Sequence, residues 1–281
     1  MKRISLYLTA ITLSFAVLSG TSLASEQTIK NSNNQFSAKF VLKKLAYEEN
    51  GNGILGSPVG LLDTEKGYVP GWGLGLTFMG NVLLDKDYVD LEFSHSTGHT
   101  DYVGALIGGG GFGSVTGTSS ARLLDLSARI GEGFSVSQNF MLTPFLELGH
   151  HKWYRGINAG ETYNHSYWGG GLLAQTSIGN KFVLSVNGMI GRTFSSTIDV
   201  ASSSIPGFSG DLGNATTYRF GASVDYAITK DIHINLGVDH TRFKYGMTKL
   251  FPIPGFPGFF QWEPDSKSRY TVFNAGVGLA F

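Results

Sequence analysis

The sequence contains no cysteine and little charge of either sign. Among its 281 residues, 21 Lys and Arg balance 21 Asp and Glu, and charged residues make up 15% of the chain. Without cysteine there is no disulfide framework, no thiolate zinc site and no cysteine nucleophile. A formal net charge of zero also provides no basic surface of the kind that binds nucleic acid, so no nucleic-acid partner is expected.

Glycine and aromatic residues are abundant. The chain has 39 Gly, and 13% of its residues are aromatic. Glycine does not recur in a Gly-X-Y period and hydrophobic residues reach 42%, so neither a collagen-like nor a disordered chain fits the composition. The composition favours a β protein rich in glycine and aromatic residues.

The N-terminus has the features of a secretory signal peptide. Lys2 and Arg3 precede an apolar stretch over residues 4–18, which is followed by small residues and Ala24. We therefore predict a cleaved signal at residues 1–24, since the apolar stretch is short for a span of about 20 residues. No linker divides the remainder, so residues 25–281 are predicted to form one domain.

Apolar and polar residues alternate through ten segments, which is typical of half-exposed β-strands. In the segment over residues 232–240, for example, Ile234 and Leu236 alternate with His233 and Asn235. The pattern predicts ten strands, or eight if one hairpin is misread. The segments cover residues 36–42, 72–78, 89–94, 124–130, 146–149, 167–178, 182–191, 218–226, 232–240 and 270–281.

The two faces of these strands distinguish a membrane barrel from a soluble sandwich. A sandwich has an outward face rich in Lys, Glu and Thr. Here the polar face is mostly Gly, Ser and Asn, and the other face is continuously aliphatic and aromatic. A closed sheet satisfies its own backbone hydrogen bonds in lipid. We therefore predict an all-β, antiparallel up-and-down transmembrane barrel with a polar lumen, and a monomer.

The predicted linkers alternate in length, as in barrels with long outer loops and short periplasmic turns. With ten strands, both termini lie at the periplasmic end. The long linkers are predicted at residues 48–70, 104–118, 156–165, 194–212 and 246–267. The short linkers are predicted at residues 80–87, 131–139, 179–181 and 228–231.

The signal peptide, the alternating strands, the long outer loops and the last strand ending at Phe281 resemble the small Gram-negative outer-membrane β-barrel proteins of the opacity-protein and OmpA-type group. The resemblance implies an outer-membrane location. It also implies contact with outer-membrane lipid, lipopolysaccharide and the barrel-assembly machinery. In that group the machinery reads alternate residues of the last strand, which here are Phe273, Val277, Leu279 and Phe281.

The polar faces place eight charged residues in the lumen. Isolated charges are costly to bury, so they are expected either to pair and fill the interior or to line a narrow polar path. The eight residues are Lys39, Asp90, Glu92, Asp125, Arg129, Glu147, Arg219 and Asp225.

Catalytic and metal-binding patterns are weak. Outer-membrane proteases, which this chain resembles in strand number, need acidic and histidine couples on one face. Asp239 and His240 are adjacent, so they point to opposite faces. His95, His99 and Asp101 share a face but provide few ligands for zinc. Neither an enzyme activity nor a metal or cofactor is therefore expected.

The segment over residues 250–260 is uncharged and rich in Pro and Phe, and its Ile253-Pro-Gly-Phe256 echoes the sequence at residues 205–208. Exposed apolar patches usually indicate a partner or mutual packing. Candidate contact residues are Phe251, Phe256, Phe259 and Phe260. The expected role is structural or surface-interactive, adhesin-like or opacity-like, with a host or cell-surface ligand. A narrow porin for small solutes is the alternative, and a barrel enzyme acting on peptide or lipid A is the third hypothesis.

Overall fold

The computed structural model of the chain describes residues 26–105, 110–203 and 206–281. The predicted signal peptide, residues 1–24, lies outside the described residues. So do part of the glycine run of the second long linker, Gly108 and Gly109, and Ile205 of the repeated motif.

The described residues form ten long strands, four short strands and one helix. A single 3-10 turn, Ile54–Gly56, follows the first strand. No helix in the part of the chain that the structure describes is long and apolar enough to cross a membrane. The elements are α1 (Glu26–Ser32), β1 (Gln35–Asn52), β2 (Val59–Gly80), β3 (Asp87–Gly104), β4 (Val115–Glu132), β5 (Phe134–Ser137), β6 (Phe140–Arg155), β7 (Glu161–Ile178), β8 (Phe182–Val200), β9 (Phe208–Asp211), β10 (Thr216–Ala227), β11 (Ile232–Tyr245), β12 (Phe251–Pro252), β13 (Phe260–Gln261) and β14 (Asp265–Ala280).

The ten long strands close into one antiparallel barrel. Each pairs with its neighbour along the chain, and β14 pairs with β1, so that Gln35 lies opposite Ala280. The short β5 and β9 extend the ladders of β6 and β8 at opposite ends. The ten-stranded prediction is confirmed, and the eight-stranded alternative is wrong.

The lower part of the barrel is apolar outside and polar inside. Phe40 is 58% exposed and Ile130 is 61% exposed, whereas Ser37 and Asp90 are buried on the opposite face. This arrangement leaves an outer belt of exposed aliphatic and aromatic side chains, which matches the lipid-facing band of transmembrane barrels. Both termini of the described barrel lie at the end with the short turns.

The predicted first linker, residues 48–70, is wrong: β1 runs to Asn52 and β2 begins at Val59. Beyond Leu42 the two faces exchange character. Outward positions become charged, as at Lys44, while Leu45 is buried inside. The strands therefore leave the apolar belt and continue as a water-exposed barrel with a packed interior. The same extension shortens the predicted linkers at 156–165, 194–212 and 246–267.

Candidate functional site

The eight charged residues predicted in the lumen lie in ion pairs inside the barrel. Arg129 lies 3.2 Å from Asp90 and 2.8 Å from Glu147. Glu147 also binds Arg219, and the phenol of Tyr167 donates to it at 2.7 Å. One glutamate thus joins the guanidinium groups of two strands on opposite sides of the lumen.

Of the four remaining predicted charges, two bind each other and two take partners that the sequence did not identify. Lys39 binds Glu92, as its position suggests. Asp125 binds Lys43, which the predicted first strand had excluded. Two histidines also pair with aspartates. His151 lies 2.6 Å from Asp125, and His233 lies 2.7 Å from Asp225.

These pairs surround a lumen cavity of about 290 Å³. Its wall runs from Phe243 and Tyr270 at the loop end to Ser32 and Asn33 at the N-terminal end. Charged and hydroxyl side chains line most of the wall between, so the cavity suits ordered water. Whether the cavity communicates with either side depends on the groups that close its ends.

A cluster of buried apolar side chains closes the end nearer the loops. Trp153, Tyr47 and Tyr163 are completely buried. The rings of Trp153 and Tyr163 are stacked with their centroids 5.3 Å apart. All the barrel strands except β3 and β10 contribute to this aromatic cluster, so side chains fill the cross-section. Its members are Leu45, Tyr47, Val69, Ala121, Leu123, Trp153, Tyr163, Ile198, Leu212, Phe243, Tyr245 and Tyr270.

Above the aromatic cluster, Arg155 forms the centre of a buried acidic site. Its guanidinium lies 3.1 Å from Asp63, 2.8 Å from Glu65 and 3.0 Å from Glu161. It also donates to the Tyr163 hydroxyl at 3.2 Å. Burial opposes the charge, but Asp63 and Glu161 outweigh it and hold the pKa of Arg155 above its ordinary value. The fork geometry of arginine allows all three carboxylates to be bound at once.

Glu263 carries the long 246–264 loop into this acidic site. Its carboxyl accepts hydrogen bonds from Tyr47 at 3.0 Å and from Tyr163 at 2.5 Å. Its backbone N–H donates to the Thr248 hydroxyl at 2.9 Å, which closes the base of the loop. Burial, followed by the nearby carboxylate of Glu161, raises the pKa of Glu263 to about 8. The docked loop therefore holds a protonated acid at neutral pH.

Helix α1 covers part of the opposite, N-terminal end of the lumen, on the side of β6, β7 and β8. Ile29 is 1% exposed and lies in a second buried cluster with Met79 and Met141. The Asn33 amide after the helix donates to Gln175 across the lumen at 2.7 Å. The sequence analysis did not predict this helix, because the segment lies between the predicted signal and the first predicted strand and shows no alternation.

The uncharged loop forms a short hairpin of β12 and β13, in which Phe251 pairs with Gln261. Phe251 is half-buried and contacts Phe208, with ring centroids 4.9 Å apart. The Gln261 amide donates to the Pro206 carbonyl at 3.0 Å, so the two loops with similar motifs pack together. At the tip, by contrast, Phe256 is 55% exposed and Phe259 is 65% exposed. Phe260, at the end of the hairpin, is 37% exposed.

The side chains proposed as an assembly signal lie on the outer face of the barrel. Phe273, Val277 and Leu279 project from β14 into the apolar belt and are 43%, 51% and 56% exposed. Phe281 follows the end of β14 and is 69% exposed. Its backbone N–H donates to the Asn34 carbonyl at 3.1 Å, which ties the C-terminus to the start of β1.

The catalytic and metal candidates do not converge. His95 lies against Trp72 on the outer face, with ring centroids 6.4 Å apart. The His240 ring forms a hydrogen bond with the Thr271 hydroxyl, whereas Asp239 lines the lumen. Asp239 and His240 therefore lie on opposite faces of the sheet. Among the described residues, no group of three or more His, Asp or Glu side chains could hold a metal ion.

Comparisons with known proteins agree on the fold. No protein-family model matches the chain, and no curated protein matches it either. Among solved structures, the outer membrane protease OmpT from Escherichia coli superposes with a TM-score of 0.57 at 10% identity, over 89% of this chain and 97% of OmpT. The attachment invasion locus protein Ail of Yersinia pestis gives a TM-score of 0.33 at 10% identity, over 89% of this chain and 99% of Ail. The toluene transporter TodX of Pseudomonas putida gives 0.33 at 10% identity, over 93% of each chain.

The two lower scores support no argument, and the identity to OmpT is too low to transfer an activity. The superposition with OmpT agrees with the closed strand ladder, the apolar outer belt and the polar lumen. All four observations concern the fold. The chain has the fold of the small ten-stranded outer-membrane β-barrels.

Proposed function

We propose that the protein is an integral outer-membrane barrel, exported by its signal peptide, that conducts no solute and acts at the cell surface through its loops. The observation that carries this proposal is the filled lumen. The aromatic cluster blocks the loop end with buried rings, of which Tyr47, Trp153 and Tyr163 have no exposed surface. Helix α1 and the second buried cluster narrow the N-terminal end.

The filled lumen argues against the narrow porin. A conducting path needs a continuous line of water, and the charged cavity is bounded by packed side chains at its loop end. Opening that end would require buried rings such as Trp153 and Tyr163 to leave a stacked arrangement. Well-packed interiors resist such changes. In a closed lumen, the role of the ion pairs is to neutralise the buried charges and to connect strands across the barrel.

In a planar lipid bilayer, we expect the refolded protein to give no discrete current steps. A variant lacking residues 26–32 should also stay silent, because the aromatic cluster alone fills the cross-section. The measurement is single-channel recording, with folding verified by the different gel mobility of heated and unheated samples. Stable, repeated steps from the full-length protein would refute the sealed lumen and favour the porin.

The hairpin tip supports the surface role. Phe256 and Phe259 are the most exposed rings of the loop, and Gly255 and Gly258 adopt positive φ angles of 83° and 85° that fold the tip tightly around the prolines. Glu263 and Phe251 fix the base of the hairpin to the barrel. A rigid apolar tip on a fixed base loses little entropy on binding. The proposed partner is an apolar pocket on a host or other cell surface, and no catalytic role is assigned to the barrel.

Replacing both Phe256 and Phe259 with serine should reduce adhesion of cells that display the protein by about tenfold or more, since each buried ring contributes roughly 1.5–3 kcal/mol. Phe112→Ser is the matched control, because Phe112 is an exposed ring, 45% accessible, in another long loop. The readout is the number of cells bound to an epithelial monolayer. Unchanged adhesion by a correctly folded double variant would contradict a role for the tip.

A further inference from the structure

Two pairs of like charges face each other on the outside of the barrel. In the ladder between β11 and β14, Arg242 lies directly opposite Arg269, and Lys244 lies directly opposite Lys267. All four side chains point outward, because the alternating residues such as Phe243 and Tyr270 are buried inside. Like charges directly opposite each other destabilise an antiparallel ladder. The arrangement therefore needs an explanation outside the sheet.

The protein supplies almost no negative charge to this basic patch, defined as Lys44, Arg242, Lys244, Lys267 and Arg269. Glu48 binds Arg269, but in the described part of the chain no carboxylate forms an ion pair with the other four. Lys44, on the next strand, lies opposite Thr271 and adds a further positive charge. The patch has five cations against one carboxylate.

The height of the patch on the barrel is set by its aromatic neighbours. Arg242 lies opposite Tyr218, which is 53% exposed. The Lys44 ammonium lies over the ring of Tyr68, 5.7 Å from its centroid. Exposed aromatic rings mark the headgroup level of a membrane. The patch thus begins where the apolar belt ends, on the side of the long loops.

We propose that the basic patch binds the phosphate groups of lipopolysaccharide. The inference rests on the proposed outer-membrane location. The two cation pairs are two residues apart along each strand, which is about 7 Å, so they can bind separate phosphates. The planar guanidinium group of arginine can donate two hydrogen bonds to one phosphate. A phosphate bound between two cations also removes the repulsion between them. The acyl chains then lie along the adjacent apolar belt below Phe273.

The test compares binding of lipopolysaccharide to the refolded full chain in zwitterionic micelles. Arg242→Ser with Lys244→Ser removes one cation from each pair. Each direct contact with a phosphate that is lost should cost about tenfold, as for a hydrogen bond between charged groups, so we expect the double variant to bind about 100-fold more weakly. The matched control is Lys152→Ser with Arg192→Ser. These exposed cations lie opposite uncharged residues, Lys152 between Leu124 and Asn164, and Arg192 between Trp168 and Thr216.

The control variant should bind within about twofold of the wild type, and dephosphorylated lipopolysaccharide should bind the wild type as weakly as it binds the patch variant. Equal losses in the patch and control variants would overturn the proposal. So would undiminished binding of the dephosphorylated lipid. Equally tight binding of phosphatidylglycerol would overturn the assignment to lipopolysaccharide. Cell fractionation tests the outer-membrane location separately, so its failure is distinguishable from a failure of lipid binding.

Discussion

Replacing Arg155 with methionine is expected to lower the free energy of unfolding by about 3–5 kcal/mol, because removal of one partner from a buried ion network leaves uncompensated charge. Asp63, Glu65 and Glu161 would lose their shared cation while remaining buried. Methionine fills part of the space of the arginine side chain. The decrease in the free energy of unfolding therefore comes mainly from the missing positive charge and not from a cavity. Urea unfolding in zwitterionic detergent measures the change.

Arg269→Met is the control for this experiment. Arg269 also binds a glutamate, Glu48, but its side chain is 44% exposed, so we expect a cost of about 0–1 kcal/mol in detergent without lipopolysaccharide. Adding Asp63→Asn and Glu65→Gln to Arg155→Met should restore part of the lost stability. If Arg155→Met costs no more than Arg269→Met, the buried network does not stabilise the barrel.

Docking of the 246–264 loop is expected to weaken as the pH rises from about 4.5 to about 8. Glu263 has an ordinary pKa of 4.5 when exposed and about 8 when docked. The docked state therefore retains its proton over an interval in which the released loop has lost it. Each pH unit in this interval should lower the ratio of docked to released loop about tenfold. Below pH 4.5 and above pH 8 the ratio should level off.

The groups that face Glu263 act on its pKa in both directions, and burial together with the neighbouring acids prevails. The hydrogen bond from Tyr163 and the charge of Arg155 favour the ionised carboxyl, whereas the carboxylates of Glu161 and Asp63 oppose it. Burial holds the pKa of Tyr47 and of Tyr163 well above its ordinary value, so the two phenols remain hydrogen-bond donors throughout. The facing groups are Tyr47 and Glu49 on β1, Asp63 on β2, Arg155 on β6, and Glu161 and Tyr163 on β7.

The absence of cysteine permits a direct measurement of loop docking. Phe259→Cys places a single thiol on the exposed hairpin, and the anisotropy of an attached fluorophore reports the mobility of the loop. We expect the anisotropy to fall with rising pH in this protein and to stay constant when Glu263→Gln is added, since the amide cannot ionise. Equal pH profiles with and without Glu263→Gln would contradict the protonated docking.

Within the lipid belt, the sequence was sufficient to predict both the strands and their orientation. In this part of every strand the apolar residues point outward and the polar residues point inward, because lipid surrounds the barrel and the lumen is polar. Above Leu42 the requirement reverses. Lys44 and Glu48 point to water, and Leu45 and Tyr47 point to a packed interior. Because the apolar and polar faces exchange here, the sequence pattern predicted a linker over residues 48–70. For the same reason Lys43 was not counted among the lumen charges.

The alternation of residues by itself predicted a barrel of ten or eight strands with an apolar outer face, because a strand in lipid must repeat every second residue. Only the tertiary structure decided what the interior contains. Tyr47, Tyr163 and Glu263 come together from three distant parts of the chain, and Arg242 faces Arg269 across a ladder. Closure of the barrel and the register of its strands bring these residues into contact, and neither is encoded in the local pattern of any one strand.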